Sequence, residues 1–235
     1  MSMLTACYIL HQRPFRESSL LLDVFSETHG RVSLIAKGAR QKKRSQMGLY
    51  QLYQPLLLSW TGRSELLTLT AAEADGPRFI LKAESALCGL YINELLVKLL
   101  PLHEAEPEIF IAYKNALESL QQADETQLTL RLFEKRLLTH LGYGLVLDRE
   151  YDNGRLVDEE QQYYYQADAG LVRWFPGQNQ PAISGRSLQS LANESNFDVK
   201  SLAEIKQLMR AVIHFYLGGK PLQSRQLFTE LHRLK

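Results

Sequence analysis

Six cations fall within fourteen residues, at Arg31, Lys37, Arg40, Lys42, Lys43 and Arg44. Cations at that density bind phosphate, and each contact with a single strand steepens the fall of log affinity with log salt by about 0.7. Gly38, inside the run, frees the backbone to curve around such a ligand. From Thr28 to Ser64 the chain carries no Asp or Glu, whereas a solvated loop normally mixes its signs. Two readings stand, a phosphate-binding loop and a merely soluble one, and the missing acids favour the first. Base stacking would also need aromatic rings close by. Tyr50, Tyr53 and Trp60 follow the loop and Phe25 precedes it. Trp60 and Phe25 are expected in a core, while Tyr50 and Tyr53 suit either role.

Other chemistries lack their residues. Gly218-Gly219-Lys220 runs into Pro221 without the upstream glycine of a phosphate-cradling loop, so no ATPase site is expected. No His-Glu-x-x-His pair occurs, and Cys7 and Cys88 sit far apart in apolar segments, so neither metal nor disulfide is expected. Asp148 and Asp152 could hold Mg²⁺, yet beside Arg149 and Glu150 they read better as a solvated charged turn.

The elements that must position the loop are strands. Leu4 to His11, Ser19 to Phe25, Arg31 to Lys37, Gln54 to Trp60 and Glu65 to Ala72 are short β-type runs, broken at Pro14, at Thr28-His29-Gly30 and at Thr61-Gly62. Five such strands suit a small closed barrel of the OB type. After Gly76-Pro77 the period becomes helical. Leu87, Leu90, Tyr91, Leu95 and Leu99 form one stripe before Pro101; a second helix opens at Pro107; a third runs from Thr126 to Gly142, and the three are expected to bundle. A β-hairpin around Ala167-Asp168-Ala169 lies in an insert near residues 145–176. Helices then resume at about Gly185 and at Asp198; Gly218-Gly219 ends the latter, and Ser224 can cap a last helix.

The fold class is therefore α+β: an N-terminal five-stranded barrel over residues 1–77 and an α-helical domain with a small β-hairpin insert over residues 78–235. The 235 residues, 45% hydrophobic and 23% charged, suit an ordinary folded protein. No apolar run reaches the ~18 residues of a membrane span, and the first residues lack the pattern of a signal peptide, so a cytoplasmic protein is expected. The net charge of +1 conceals a division: residues 1–80 hold ten Lys or Arg against six Asp or Glu, and the remainder sums to −3.

Several stretches carry a resemblance: Ser18 to Phe25 with Gly30, Ala36-Lys37-Gly38-Ala39-Arg40 with Ser45, Leu66 to Glu73, Leu141-Gly142-Tyr143, and Tyr216-Leu217-Gly218-Gly219-Lys220-Pro221-Leu222-Gln223-Ser224-Arg225. In this order the chain resembles the RecO family of bacterial recombination mediators over nearly its whole length. The resemblance implies an OB-fold followed by a helical domain, acting without catalysis and without a cofactor. It implies binding of single- and double-stranded DNA, annealing of complementary strands, and help in loading RecA onto strands coated by single-stranded DNA-binding protein, with RecR and often RecF as partners and a nucleoid location. Many members carry four cysteines as a zinc finger where this chain has Asp148 to Trp174 and no cysteine. Zinc is therefore not expected, and Tyr163, Tyr164, Tyr165 and Trp174 are expected to hold the hairpin by packing.

The coating protein's C-terminal tail is acidic and apolar, so its receptor needs an apolar groove edged by cations. Arg131 and Lys135, four apart on one helix face, with Leu132 and Arg136 beside them, are the candidates; the competing reading is a surface ion-pair face using Glu134. Arg225 is expected in a structural role. Beside these stand two rivals, a structured-RNA-binding module built on the same barrel and a purely protein-binding scaffold.

Overall fold

The computed structural model describes residues 3–41, 48–123 and 125–233. Five strands come first: β1 (Thr5–Phe15), β2 (Ser19–Ser26), β3 (Gly30–Ala36), β4 (Leu56–Thr61) and β5 (Leu66–Ala74). They close in the order β1-β2-β3-β5-β4, with β4 returning to β1 and every pairing antiparallel except β3 with β5. The expected OB-type barrel is thus formed. Alternation along the strands sends Ile9, Leu22, Val24, Val32, Leu34, Leu56, Leu58 and Leu67 inward. Cys7 joins them as a small hydrophobe, its thiol pushed up to about 12 chiefly by burial.

The first strand is longer than its sequence suggests, running through Pro14 to Phe15. Beyond Cys7 the pairing with β4 stops, leaving β1 an edge that has only β2 beside it. A residue without an N–H is tolerated there. A register shift between Ile9 and His11 marks a bulge. The Leu10 carbonyl there accepts a bond from Asn93 Nδ2 at 2.9 Å.

Six helices are described: α1 (Ala83–Leu99), α2 (Pro107–Gln122), α3 (Thr126–Leu138), α4 (Gly185–Asn193), α5 (Val199–Tyr216) and α6 (Gln223–Arg233). The chain divides into two compact units, Met1–Asp124 with Leu222–Lys235, and Glu125–Pro221. In the first, α1 packs against β1, α2 and α6. With three sides covered it buries Cys88, Tyr91, Ile92, Asn93, Leu95 and Leu96, a wider face than the expected stripe. Tyr8 and Phe25, on the outer face of the barrel, pack against Phe110 and Tyr113 of α2.

The expected three-helix bundle is not what forms. The third helix, α3, belongs to the second unit and packs on α5. A wide π-type turn, Thr139–Tyr143, extends α3 and ends where Gly142 takes φ 79°. The hairpin is present as β6 (Gln162–Gln166) and β7 (Gly170–Arg173). A third strand that the sequence did not suggest, β8 (Ile183–Ser184), pairs with β6. Tyr163 is fully buried there and its hydroxyl accepts the Asp158 N–H. At the start of α5, Asp198 and Ser201 form a reciprocal capping box, and Gly218 and Gly219 close its end at φ 61° and 77°. For α6 the cap is not Ser224 alone. Glu94 of α1 accepts from the Gln223 and Ser224 N–H groups and from the Ser224 hydroxyl.

Candidate nucleic-acid interface

The β1–β2 hairpin and the loop leaving β3 meet at one end of the barrel. Arg40 joins them: its backbone N–H donates to the Ser18 carbonyl at 2.9 Å, and its guanidinium donates to the carbonyls of Arg16 and Glu17. Gly38, at φ 67°, makes the turn that brings this about. Lys37 is exposed beside it. Lys42, Lys43 and Arg44 lie outside the described residues.

Register then adds residues that the sequence did not suggest. Arg13 pairs with Leu21, and Leu21 with Ile35, in one row across three strands. Residues two apart on a strand share a face, so Phe15 lies on the side of Arg13. The Arg16 guanidinium covers the Phe15 ring at 5.3 Å from its centroid. Arg13, Arg16, Lys37 and Arg40 are all exposed, and Glu17 is the one acid among the residues 13–21 and 35–41. Four exposed cations and an aromatic ring therefore share this end. The sequence signal was present as Arg13-Pro14-Phe15-Arg16. Pro14, which reads locally as the end of a strand, hides it.

Arg31 is not part of this surface. Its Nε donates to the Leu100 carbonyl at 3.1 Å and its own carbonyl accepts from His103, which ties β3 to the segment between α1 and α2. The aromatic alternatives also resolve. Tyr50 and Tyr53 are buried, and the Tyr53 ring lies so close to Gly89 that a Cβ there would come within 2.8 Å of its oxygen. Neither can stack on a base. Phe25 is buried, as expected, while Trp60 is only partly so. Trp60 sits edge-on to His29 at 5.2 Å, lining a groove of about 630 Å³ with Met3, Leu4 and Glu27. That groove is at the opposite end of β3 from Lys37, roughly 20 Å away at the rise of a strand.

In the second unit the four tail-binding candidates separate. Arg131 is 3% exposed and donates to buried Glu134 at 2.8 Å and to the Lys206 carbonyl. It is an interior ion pair, so the expectation that Arg131 meets a partner's tail is corrected. Leu132 is half-buried. Lys135 donates to the Leu191 and Ala192 carbonyls, at the C-terminal end of α4, and to Glu194 at 3.1 Å. Arg136 reaches the other Glu194 oxygen at 2.8 Å. Burial pushes the Glu194 carboxyl up, but these two cations outweigh it and hold it below the usual carboxylate range.

Asp148 pairs with Arg149 at 2.9 Å, the solvated charged turn that was expected. Asp23 accepts from Ser33 at 3.3 Å and faces His11 at 3.6 Å. With the carboxylate in the middle, His11 has no path to the serine proton, unlike a nucleophile–base–carboxylate relay. Arg225 donates to the Tyr91 hydroxyl, a structural bond within the first unit.

A closed five-stranded barrel leading into helices and a small sheet places the chain in the OB-fold class. The family model for the N-terminal part of recombination protein O matches residues 1–77, and that for the C-terminal part matches residues 82–226. Proteins named DNA repair protein RecO align along nearly the whole chain. That of Nitrosococcus oceani is 45% identical over 232 residues, covering 98% of this chain and 94% of that protein. That of Aromatoleum aromaticum is 43% identical over 229 residues, 97% and 95%; that of Coxiella burnetii is 42% identical over 226 residues, 95% and 96%. The chain belongs to the RecO family, and its role lies in DNA repair. Among the described residues no helix is long and apolar enough to cross a membrane.

Proposed function

We propose that this chain is a non-catalytic mediator that binds single- and double-stranded DNA, anneals complementary strands, and helps load RecA onto DNA coated by single-stranded DNA-binding protein, with RecR, and often RecF, as partners. The observation that carries the reading is the cationic end of the barrel, where Arg13, Arg16, Lys37 and Arg40 stand around Phe15 with Glu17 as the one acid. Two phosphate backbones repel each other, and a surface of this kind screens both while leaving the bases free to pair. No bond is made or broken by the protein.

Replacing Lys37, Lys42, Lys43 and Arg44 together by Ala removes up to four phosphate contacts, so the slope of log affinity on log salt for a single strand should flatten by up to about 3. An unchanged slope would remove this surface from the function.

The acidic tail of the coating protein is assigned to Lys135 and Arg136 beside Leu132, where a tail carboxylate would exchange with Glu194. Glu194→Gln then tightens the binding of a tail peptide and Arg136→Ala weakens it; equal affinities for both variants would sink the assignment.

A further inference from the structure

The family stretches Leu141-Gly142-Tyr143 and Tyr216 to Lys220 are far apart in the chain, and the second unit brings them together. The Tyr143 ring stacks on that of Tyr216, with centroids 4.2 Å apart and planes inclined by 21°. Phe215 meets Tyr216 edge-on at 5.3 Å. The middle ring is fixed, since the Tyr216 hydroxyl donates to the Ala167 carbonyl in the turn of the hairpin. The outer two are open: Tyr143 is 40% exposed and Phe215 50%.

Packing does not account for this. The inward face of α5 is Ile205, Leu208, Met209, Val212 and Ile213, and Phe215 falls outside it. Glycines bare the backbone on either side, at Gly142, Gly218 and Gly219, all with positive φ and all exposed. Residues 139–147 and 205–223 contain no Asp or Glu, and they include His140, His214 and Lys220, all three exposed. Asp148 and Glu204 adjoin the two stretches, and Asp168 lies in the hairpin turn. A surface meant for an acid-bearing helix or a neutral apolar partner would not need flat rings, bare backbone and cations together. Stacked bases on a phosphate chain need all three.

We propose that the second unit carries its own single-strand site, in which Tyr143 and Phe215 stack unpaired bases and Lys220, with His140 and His214, faces the phosphates. The inference rests on the DNA-binding reading given above and deepens it: the barrel end screens backbones, and a second site on the same chain holds the unpaired bases of a strand before it pairs. A base on the outer face of Tyr143 continues the existing Tyr143–Tyr216 stack. Contact of this kind tolerates any sequence because every base has a π-face.

The test uses the full chain, short fluorescent oligo-dT strands and a two-strand annealing assay. Two strands should bind per chain. Tyr143→Ala and Phe215→Ala should each weaken one of the two by about five-fold or more, Tyr143→Phe should restore it, and annealing should fall in step. Oligonucleotides bearing 5-iodouridine, cross-linked by light to the unaltered protein, should mark the peptides containing Tyr143 or Phe215, a readout that no loss of folding can mimic. Cross-links confined to the barrel, with both Ala variants binding and annealing normally while the barrel-loop variant fails, would overturn this site and leave the barrel reading intact. Ala variants that bind DNA normally yet lose RecR would overturn it in favour of a protein interface. A chain with no salt-sensitive DNA binding at all would overturn both readings.

Discussion

Asn93 holds the bulge of β1 in place, and its removal has a calculable cost. It is buried, its Nδ2 donates to the Leu10 carbonyl at 2.9 Å, and its Oδ1 accepts from the Tyr113 hydroxyl at 2.8 Å. Asn93→Ala leaves a carbonyl and a hydroxyl without these partners, the latter on a side chain that is fully buried. Each orphaned group costs about 1 to 3 kcal/mol, so the first unit should lose about 3 kcal/mol, or about 6 to 12 °C in melting temperature. The chain has two tryptophans, Trp60 in the first unit and Trp174 in the second. In a Trp174→Phe background, Trp60 emission during urea unfolding therefore reports on the first unit alone, and the midpoint should fall with the slope unchanged. The stronger test is the pair. Tyr113→Phe removes the hydroxyl and keeps the ring, so once it is made Asn93→Ala orphans one group fewer. The double variant should be less destabilised than the two singles added, by about 1 kcal/mol or more. Strict additivity would show that the Tyr113–Asn93–Leu10 chain does not act as a unit and would refute the account of the bulge.

Glu94 links pH to the docking of α6. Burial pushes its carboxyl up, but the bonds from Ser224 and Gln223 and the charge of Lys98 prevail and hold it below the usual value. A depressed folded value contributes stability that is complete above the unfolded value of about 4.3 and fades as pH falls through the folded one. The stability difference between wild type and Glu94→Gln, read from urea midpoints, should thus be flat from pH 5.5 to 8 and shrink below about pH 4; a flat difference throughout would refute it. Gly30→Ala should cost about 2 kcal/mol or more, because φ is 64° and the added Cβ would lie 1.7 Å from the Glu104 carbonyl oxygen; calorimetry checks this. Arg131→Ala strips buried Glu134 of its 2.8 Å ion-pair partner and should destabilise the second unit by about 3 to 5 kcal/mol, seen in Trp174 emission. Loss of tail-peptide binding in that variant would report unfolding, which is why Arg136 is the informative position.

Much of the first unit could be read in the sequence because its signals are local. Period-two runs and turn residues at Thr28 to Gly30 and at Thr61-Gly62 are enough to foresee five strands, and an acid-free stretch is enough to foresee a cationic loop. What escaped depends on pairing across distance. That Pro14 sits in a strand follows from β4 leaving β1 after Cys7, which no window around Pro14 contains. The same holds for Arg31, spaced like the loop cations yet spent on the Leu100 carbonyl. Arg131 and Lys135 share a helix face as i and i+4, but a face can turn inward, and Glu134 at the next turn of the helix supplies the carboxylate that makes burial tolerable.

The barrel end and the Tyr143 platform differ in what they offer a strand, the first mainly cations and the second mainly rings. At the barrel end Arg40 is fixed through the Ser18, Arg16 and Glu17 carbonyls, while Lys37 is exposed and has no bonded partner among the described residues. Such a mixture of anchored and unbonded cations tolerates either a duplex or a single strand, because backbone charge is common to both. On the second unit the rings outnumber the fixed charges, and a paired base offers them no face. A duplex should accordingly leave the Tyr143 platform as soon as it forms while remaining attractive to the barrel. Annealing in this scheme releases its product from one surface by the act of pairing, so variants at Phe215 should slow the capture of the second strand without prolonging the residence of the finished duplex.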